Sequence, residues 1–436
     1  MFYISSVQVE GFWGKYTAQA SFHQDVNVLI GRNGTGKTTF MDMLQAVLRV
    51  DLFLLYTLEF SSIKVILKEG KRQRTITVTK NSESDRPYDV ATYHIGNRTH
   101  KFPLHLRELD RYRISRLPMR VTESFSEVKQ EIDSLVNIAF LSVHRISQEE
   151  LYEEEESFSR VRRASPVPMI DRRIDKLAND LKLYQLSLAE QEKEVSSGFQ
   201  KEVLASMLFN KNFDVLDIAE AAKTELSKEK SQLTNAYREL EAWDDTVSSK
   251  IDDHFKALNN SVESVKRLVK QAKEEREGTI GLNTEELLPL PLLKRTRHII
   301  DLSLAAEKQK QEISAPITDF LKIACEFMDD KQLAIDSSSG ALTVSKDDRK
   351  IPLLELSSGE KQLLILLIET LLQENRFFIF LADEPEISLH IEWQEKVISS
   401  VRKLNPSSQI IVATHSPEIA GGWKERIVDM KDIVHG

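Results

Sequence analysis

The stretch that decides the fold is Gly31-Arg-Asn-Gly-Thr-Gly-Lys-Thr-Thr39, which fits the G-x-x-x-x-G-K-[ST] pattern of a phosphate-binding loop. An apolar strand, residues 28–30, runs into it, and an apolar helix that begins near Phe40 follows it. Glycines in the loop let the main chain wrap phosphates without Cβ clashes, and amides at the helix start point at the anion. We therefore expect nucleotide binding by Gly31, Arg32, Asn33, Gly34, Thr35, Gly36, Lys37, Thr38 and Thr39.

A second apolar strand, Phe377 to Ala382, ends in the acidic pair Asp383 and Glu384. In such a site Lys37 pairs with the β- and γ-phosphates, and Thr38 ligates Mg²⁺. A carboxylate at the carboxyl end of a strand beside the phosphate loop also suits Mg²⁺, so Asp383 is the second expected metal ligand. Glu384 is expected to polarise the attacking water as a general base.

Two further motifs also offer groups that can contact a phosphate. In Leu356-Ser-Ser-Gly-Glu-Lys-Gln362, serine and glycine precede an apolar helix, which offers a hydroxyl and free amides to an anion. Taken alone, this segment is also an ordinary capping box. In Val412-Ala-Thr-His-Ser-Pro417, His415 follows another buried strand. We expect His415 to contact the γ-phosphate.

Three regions of the chain differ in their pattern of apolar and polar residues. Residues 1–160 show strand-like alternation around the phosphate loop, and residues 325–436 show the strand-helix-strand pattern of a parallel α/β sheet. Residues 161–324 lie between them, and no proline occurs from Met169 to Leu288. The sequence thus predicts an α/β fold with two lobes, formed by the N- and C-terminal segments, and a mainly helical insertion.

Apolar residues of the insertion repeat every seven positions, which indicates coiled-coil-like packing. An unbroken helix from Leu226 to Ala272 would be roughly 70 Å long. His254 and Ser261 interrupt its apolar seam. Either a helical bundle or an antiparallel hairpin that projects from a globular head fits this pattern. The two apolar rows are Ile174, Leu181, Leu188 and Val195, and Leu226, Leu233, Leu240 and Val247.

The order of these motifs resembles ABC-type ATPase heads, specifically the branch without membrane spans that contains SMC, RecF and OLD-type proteins. This resemblance implies a homodimer of heads that share two ATP molecules, with higher oligomers possible. It implies that Ser357 and Gly359 act on the ATP of the neighbouring head, that Ser388 lies in the loop after the acidic pair, and that His415 is the switch histidine. ATP and Mg²⁺ are the implied cofactors.

Composition excludes several classes. The chain of 436 residues carries 59 Lys and Arg against 68 Asp and Glu, a net charge of −9, which disfavours a general nucleic-acid coat protein. Its one cysteine, Cys325, excludes a disulfide framework and a multi-cysteine zinc site. No apolar run approaches a membrane span, and the first residues do not resemble a signal peptide. We expect a cytoplasmic protein without membrane contact.

Some features stay open. The glutamine that binds Mg²⁺ in this class should fall in residues 140–148, where neither His144 nor Gln148 matches cleanly, and Arg145 is a candidate for phosphate or dimer contact. Two basic clusters are solvated surfaces or contacts with nucleic acid or an acidic protein. They are Arg107, Arg111, Arg113, Arg116 and Arg120, and Arg160, Arg162 and Arg163.

The chain looks most like the stand-alone ATPases of anti-phage systems, namely AriA of PARIS, PtuA of Septu and retron-linked ATPases. This resemblance implies an ATP-hydrolysing sensor and scaffold that holds a separate effector, a nuclease, and activates or releases it upon a phage trigger. The few carboxylates after His415 lead us to expect no nuclease activity in the chain itself. The alternative is a RecF- or SMC-like repair ATPase that clamps DNA as an ATP-dependent dimer.

Overall fold

The computed structural model of the chain describes residues 1–82, 88–104, 119–142, 168–206, 208, 226–274, 289–336, 338–387 and 389–436. Its strands, numbered β1 to β15 in chain order, are Tyr3–Phe12, Tyr16–Ser21, Val26–Ile30, Ser62–Glu69, Arg72–Ser82, Asp89–Ile95, Arg98–Leu104, Ile138–Ser142, Gln332–Ile335, Leu342–Lys346, Arg349–Ile351, Ile379–Asp383, Gln409–Ala413, Ile427–Asp429 and Val434–His435. Its α-helices, numbered α1 to α11, are Lys37–Arg49, Leu52–Thr57, Met119–Leu135, Met169–Ser206, Leu226–Glu239, Asp245–Glu274, Leu290–Phe327, Ser358–Leu371, Ile391–Leu404, Pro417–Gly421 and Met430–Ile433.

The described strands form three sheets. An antiparallel sheet has the order β15-β2-β1-β4-β5-β6-β7, a parallel sheet has the order β14-β3-β13-β12-β8, and a small hairpin sheet has the order β11-β10-β9. In the parallel sheet β3 comes from the N-terminal segment, and β12 and β13 come from the C-terminal one. The predicted α/β class with a mainly helical insertion is confirmed.

Helix α1 lies in the core between the parallel and the antiparallel sheet. Its apolar residues are buried on all sides, and they share one cluster with residues of both sheets. The hydroxyl of Tyr93 on β6 donates to the carbonyl oxygens of Ala46 and Val47 at 3.2 and 3.3 Å. These carbonyls belong to the last turn of α1, and the Ala46 oxygen also accepts from the Asp51 amide at 2.9 Å. Tyr93 therefore fixes the end of α1 opposite the phosphate loop.

Two buried amide side chains join the parallel sheet to the rest of the first lobe. Gln409, fully buried, accepts from the Ile4 amide at 2.9 Å and donates to the carbonyl oxygens of Ile4 and His23, each at 2.8 Å. Asn27 accepts from the His23 amide at 2.7 Å and donates to the Ile410 carbonyl oxygen at 3.3 Å. Because buried main-chain groups need partners, these amides fix how β1 meets β13.

The described residues divide into two compact units, Met1–Leu183 with Ile317–Gly436, and Tyr184–Pro316. Helices α4 and α7 each run through a boundary. Of the two predicted divisions, the one at residue 160 falls outside the described residues and the one at residue 324 falls within α7, so both stay predictions. Helix α7 continues through Pro316, and Phe320 and Ala324 beyond it are fully buried in the first unit.

The second unit is helical and has its own apolar clusters. One cluster joins α5, α6 and α7, and another joins α4, α5 and α7. Leu233 of the second heptad row is buried in the first of these clusters, together with Ile251, Leu258 and Val265 of α6. No helix in the described part of the chain is long and apolar enough to cross a bilayer.

The region from Leu226 to Ala272 is two helices rather than one. Helix α5 ends before Glu241, which adopts a left-handed conformation with φ 54°. Helix α6 restarts where the Asp244 side chain accepts from the Val247 amide at 2.7 Å, a typical N-cap. The polar residues in the seam have partners: His254 Nε2 lies 2.9 Å from Thr296 Oγ1, and Ser261 donates to the Ala257 carbonyl oxygen.

We predict that Gln409→Leu lowers the free energy of unfolding of the first unit by about 2–4 kcal/mol, because the Ile4 N–H and C=O lose their partners while still buried. Urea denaturation followed by tryptophan fluorescence measures this change.

Gln19→Leu is the matched control, since Gln19 is an exposed strand glutamine on β2. Surface substitutions of this kind change stability by about 0.5 kcal/mol or less. Equal unfolding free energies for the two variants would contradict the role assigned to Gln409.

Candidate functional site

The phosphate loop lies between β3 and α1, as its sequence predicts. Gly36, the residue before α1, adopts φ 94°, and Gly34 adopts φ 79°, both in the left-handed region that favours glycine. A Cβ at Gly36 would lie 2.8 Å from the Phe12 ring and 3.0 Å from Trp13. The loop therefore needs glycine at position 36 for two reasons, main-chain conformation and space.

Lys37 is the first residue of α1, and its side chain is almost completely buried, with 4% exposed. Its ammonium group donates to the Gly31 carbonyl oxygen at 2.9 Å and lies 2.6 Å from Nε2 of His415. Burial lowers the pKa of Lys37, whereas the carboxylates of Glu384, Asp383 and Glu386 act in the opposite direction. The ammonium is therefore a cation held in a shielded place next to three acids.

The expected metal ligands are adjacent. Thr38 Oγ1 donates to Asp383 Oδ1 at 3.4 Å, which brings the hydroxyl and the carboxylate to one point at the carboxyl edge of the sheet. In the described part of the chain no three His, Cys, Asp or Glu side chains converge as a metal site. Mg²⁺ fits this pair nevertheless, because it commonly takes one or two protein oxygens together with water and phosphate oxygens.

Glu384 follows β12 in a left-handed conformation, with φ 49°. Its amide donates to the Ala413 carbonyl oxygen at 2.8 Å, so the main chain still pairs with β13 at this point. Its carboxylate lies 3.4 Å from Nε2 of His415. A non-glycine residue with positive φ is uncommon, and such residues concentrate at functional sites. Glu384 and His415 thus meet although they lie about 30 residues apart, after different strands.

Glu386 is a site residue that the sequence analysis did not single out. Its Oε1 accepts from the Thr414 hydroxyl at 2.6 Å, from the His415 amide at 2.7 Å and from the Ser416 amide at 3.1 Å. One carboxylate oxygen therefore holds the loop that carries the histidine. One feature of the sequence could have identified Glu386: it is a further acidic residue two positions after Glu384. The expected roles of metal ligand and general base do not account for it.

An open cavity of about 420 Å³ lies over the loop. Trp13, in the turn between β1 and β2, forms one wall of the cavity, and sequence reasoning also missed it. An aromatic residue next to a glycine in a hairpin turn was the signal. The walls are Trp13, Asn33, Gly34, Gly36, Lys37, Thr38, Thr39, Glu384 and His415.

Three residues of the predicted loop do not line the cavity and instead shape the loop from within. The Gly31 carbonyl oxygen accepts from Lys37. The Arg32 carbonyl oxygen accepts from the Thr35 amide at 3.2 Å and from its hydroxyl at 2.8 Å. These bonds hold the turn that places Gly34 and Gly36 at the cavity.

Residues 356–362, here called the signature segment, do not line this cavity. Ser357 is the N-cap of α8, its hydroxyl accepts from the Glu360 amide at 3.3 Å, and the Glu360 carboxylate accepts from the Ser357 amide at 2.8 Å. This is the capping box that the sequence predicts. Ser357 is exposed and Gly359 is buried, and neither lines the cavity of its own chain.

Several sequence predictions fall outside the described residues. They are the serine of the loop after the acidic pair, Ser388, the candidates His144, Arg145 and Gln148, and the two basic clusters, except that Arg120 lies on α3.

Curated relatives match over short segments. A segment of 89 residues is 36% identical to the Retron Ec83 probable ATPase of Escherichia coli and covers 18% of this chain and 16% of that protein. A segment of 87 residues is 32% identical to the Retron Vc95 probable ATPase of Vibrio cholerae serotype O1 biovar El Tor and covers 17% of each chain. The matched segment thus spans about a sixth of each relative's length.

Solved structures with a similar chain path include two archaeal Smc head domains. One, from Pyrococcus furiosus, has an extended coiled coil and is bound to the C-terminal domain of ScpA; it has a TM-score of 0.41 and 13% identity and covers 98% of this chain and 93% of that chain. The other, from Pyrococcus yayanosii, has a coiled coil and joint; its TM-score is 0.40, its identity is 15%, and the coverage is 98% and 95%.

The family model AAA_15, described as AAA ATPase domain, matches residues 2–420. This range contains the phosphate loop, the acidic pair, the signature segment and His415. The range also spans the helical insertion. This family match confirms the resemblance to ATPase heads that the order of the motifs indicates. The chain belongs to the AAA ATPase domain family.

Proposed function

We propose that the protein binds and hydrolyses ATP at the cavity above the phosphate loop. One observation carries this proposal: three segments that are far apart in sequence bring Lys37, Thr38, Asp383, Glu384 and His415 to one edge of the parallel sheet. Membership of an ATPase-domain family supports the same reading.

The phosphates of the nucleotide need a shielded cation and aligned amides. The Lys37 ammonium, almost buried, supplies the charge, and the free amides at the start of α1 supply hydrogen-bond donors. The acidic neighbours of Lys37 oppose the loss of its proton on burial. Lys37 thus stays available to pair with the β- and γ-phosphates.

Mg²⁺, held by Thr38 and Asp383, would compensate the charge of the phosphates. Glu384 takes the role of general base because its carboxylate is at the cavity wall beside His415. A base there accepts a proton from the attacking water. His415 contacts the γ-phosphate, and Glu386 positions His415 through the hydrogen bonds to the loop that carries it.

Ser357 and Gly359 complete the site from a second copy. Ser357 is exposed at the start of α8 and does not reach the cavity of its own chain. We infer a homodimer of heads that encloses two ATP molecules, each between one chain's phosphate loop and the other's signature segment. Higher oligomers are compatible with this arrangement.

For the biological role, we propose a sensor and scaffold ATPase of a bacterial defence system. Two relatives with matching segments are probable ATPases of retrons. In this role ATP hydrolysis controls a separate effector, a nuclease, which a phage trigger releases or activates. The alternative role is a DNA clamp of the RecF or SMC kind, and the test below separates the two.

The first test uses two site variants. We expect Lys37→Ala to weaken ATP binding by at least about tenfold, because a charge-assisted contact with phosphate is lost. We expect Glu384→Gln to keep ATP affinity but to lower kcat by roughly 10²–10⁴-fold, because it removes the base. Equilibrium binding of a fluorescent ATP analogue and steady-state phosphate release measure the two effects.

Lys64→Ala and Glu395→Gln are the matched controls, since both residues are exposed and lie on β4 and α9. Both variants should behave as the wild type does. Wild-type kcat in Glu384→Gln would contradict the assignment of the base.

The shared site has a separate test. Lys37→Ala and Ser357→Arg should each be inactive alone, because the homodimers lack either phosphate binding or signature contact at both sites. In an equimolar mixture about half of the dimers are hybrids, and each hybrid carries one intact site. Partial recovery of phosphate release is therefore expected upon mixing. Dilution of the wild type until its dimers dissociate should lower the rate of phosphate release per chain. A rate per chain that stays constant over this dilution would contradict the shared site.

The biological role is tested by binding. A sensor and scaffold should co-purify with a partner protein and bind duplex DNA weakly. A clamp should bind duplex DNA only with ATP, and its affinity should fall steeply with salt. Glu384→Gln is the variant to use with ATP in both assays, because it is expected to retain the nucleotide. ATP-dependent, salt-sensitive DNA binding without a co-purifying protein would favour the clamp.

A further inference from the structure

Helix α8, which begins at the signature serine, makes three ion pairs with the chain segments that lead to and from the helical unit. Two of the pairs join α8 to the first turns of α4. The third joins it to Lys331, which follows the end of α7. The nucleotide cavity uses none of these residues.

The pairs with α4 are largely shielded from water. Lys361 donates to Asp171 Oδ1 at 2.6 Å, and the two side chains are 10% and 14% exposed. Arg173 donates to Glu369 Oε1 through both Nε and a terminal nitrogen, and the Glu369 side chain is 8% exposed. Lys361 and Glu369 lie eight residues apart on α8, so the two pairs hold two points on one side of the helix.

The third pair reaches the signature serine itself. Lys331 donates to Glu360 Oε1 at 2.6 Å, and the other oxygen of Glu360 accepts from the Ser357 amide. Burial alone would raise the pKa of Glu360, but the hydrogen bonds from Lys331 and Ser357 keep the pKa below its usual value. Asp330, next to Lys331, also pairs with Lys346 of β10. A continuous polar chain therefore runs from Lys346 through Asp330, Lys331 and Glu360 to Ser357, and Lys331 follows the end of α7 by four residues.

Such pairs specify position more than they add stability. Removal of two charges from water is costly, so a buried pair often contributes no more than apolar residues of similar size. The middle of α8 is a buried run of leucines and isoleucines, whose apolar contacts are non-directional. Directional hydrogen bonds between charges allow only one register. The ion pairs, rather than the apolar contacts, therefore define where Ser357 stands.

We propose that Asp171, Lys361, Arg173, Glu369 and Lys331 are positioning residues that hold the signature serine in register for the neighbouring copy's ATP, so that α4 and α7 set the rate of hydrolysis. This inference rests on the proposed function. Because α4 and α7 each continue into the helical unit, a partner that shifts either helix changes the position of Ser357. ATP binding by the Lys37 loop does not depend on these pairs.

The test compares one pair in four forms. Lys361→Asp and Asp171→Lys each place like charges together, the double reversal restores an ion pair, and the double variant Asp171→Leu with Lys361→Met replaces it by apolar contact. Each protein is measured for the affinity of a fluorescent ATP analogue, for kcat and KM of hydrolysis, and for thermal unfolding.

We expect each single reversal to lower kcat by about tenfold or more, the size of effect that misplacement of a catalytic contact causes, with ATP affinity unchanged. The double reversal should recover most of kcat. The apolar pair should be as stable as the wild type and still have low kcat, because it restores packing without register. Where a single reversal gives no folded protein, the two double variants decide between the roles.

Lys308→Asp is the control, since the Lys308–Glu312 pair on α7 is exposed, and its loss should change none of the measurements. Wild-type kcat in the single reversals or in the apolar pair would overturn this inference alone. A wild-type protein that binds ATP but does not hydrolyse it would overturn the proposed function as well, so the two failures are distinguishable.

Discussion

The candidate site depends on the parallel pairing of β3 with β13 and of β13 with β12. These pairings place the ends of three strands at one edge, although Lys37 and His415 are 378 residues apart in the sequence. Parallel neighbours need a long connection, and here that connection contains the helical unit. The buried amides of Gln409 and Asn27 fix the opposite end of the same strands, because their partners are main-chain groups that cannot remain unpaired.

Charge balance at the edge of the sheet follows from this pairing. A buried ammonium is unfavourable alone, and three carboxylates at one edge are unfavourable alone, but each compensates the other. The same proximity brings Nε2 of His415 within 2.6 Å of the ammonium and within 3.4 Å of the Glu384 carboxylate. Anionic phosphates beside the acids would be unfavourable without Lys37 and a divalent ion. This charge balance suits the nucleotide and the divalent ion that we propose for the site.

Glu386 and Glu360 show how carboxylates also act as main-chain anchors. Glu386 holds two amides and a hydroxyl of the histidine loop, and Glu360 holds the amide of the signature serine. Both residues place another group rather than act on a ligand. Next to the second of these anchors, the first turn of α4 pairs with Lys361, and Lys331, which follows α7, pairs with Glu360 itself. The chain segments that lead to and from the helical unit therefore contact α8, the helix that follows Ser357.

The sequence by itself determined the local elements of the site. The glycine loop, the acidic pair after an apolar strand and the serine cap of α8 are recognisable because each depends on neighbours a few residues away. The class and the family resemblance followed from their order. The heptad rows likewise indicated helices, yet the break before Asp244 was missed, because a short turn interrupts the repeat without a glycine or proline to mark it.

Only the tertiary structure decided which groups meet. The contact of Lys37 with His415, the bonds of Glu386 to residues 414–416, the wall formed by Trp13 and the ion pairs of α8 join segments that are distant in sequence. A charged residue in a sequence is most often on a solvated surface, so Asp171, Arg173 and Lys361 carried no signal until the helices were packed. The physical reason is that local propensity depends on neighbouring residues, whereas partners of buried charges are set by the fold.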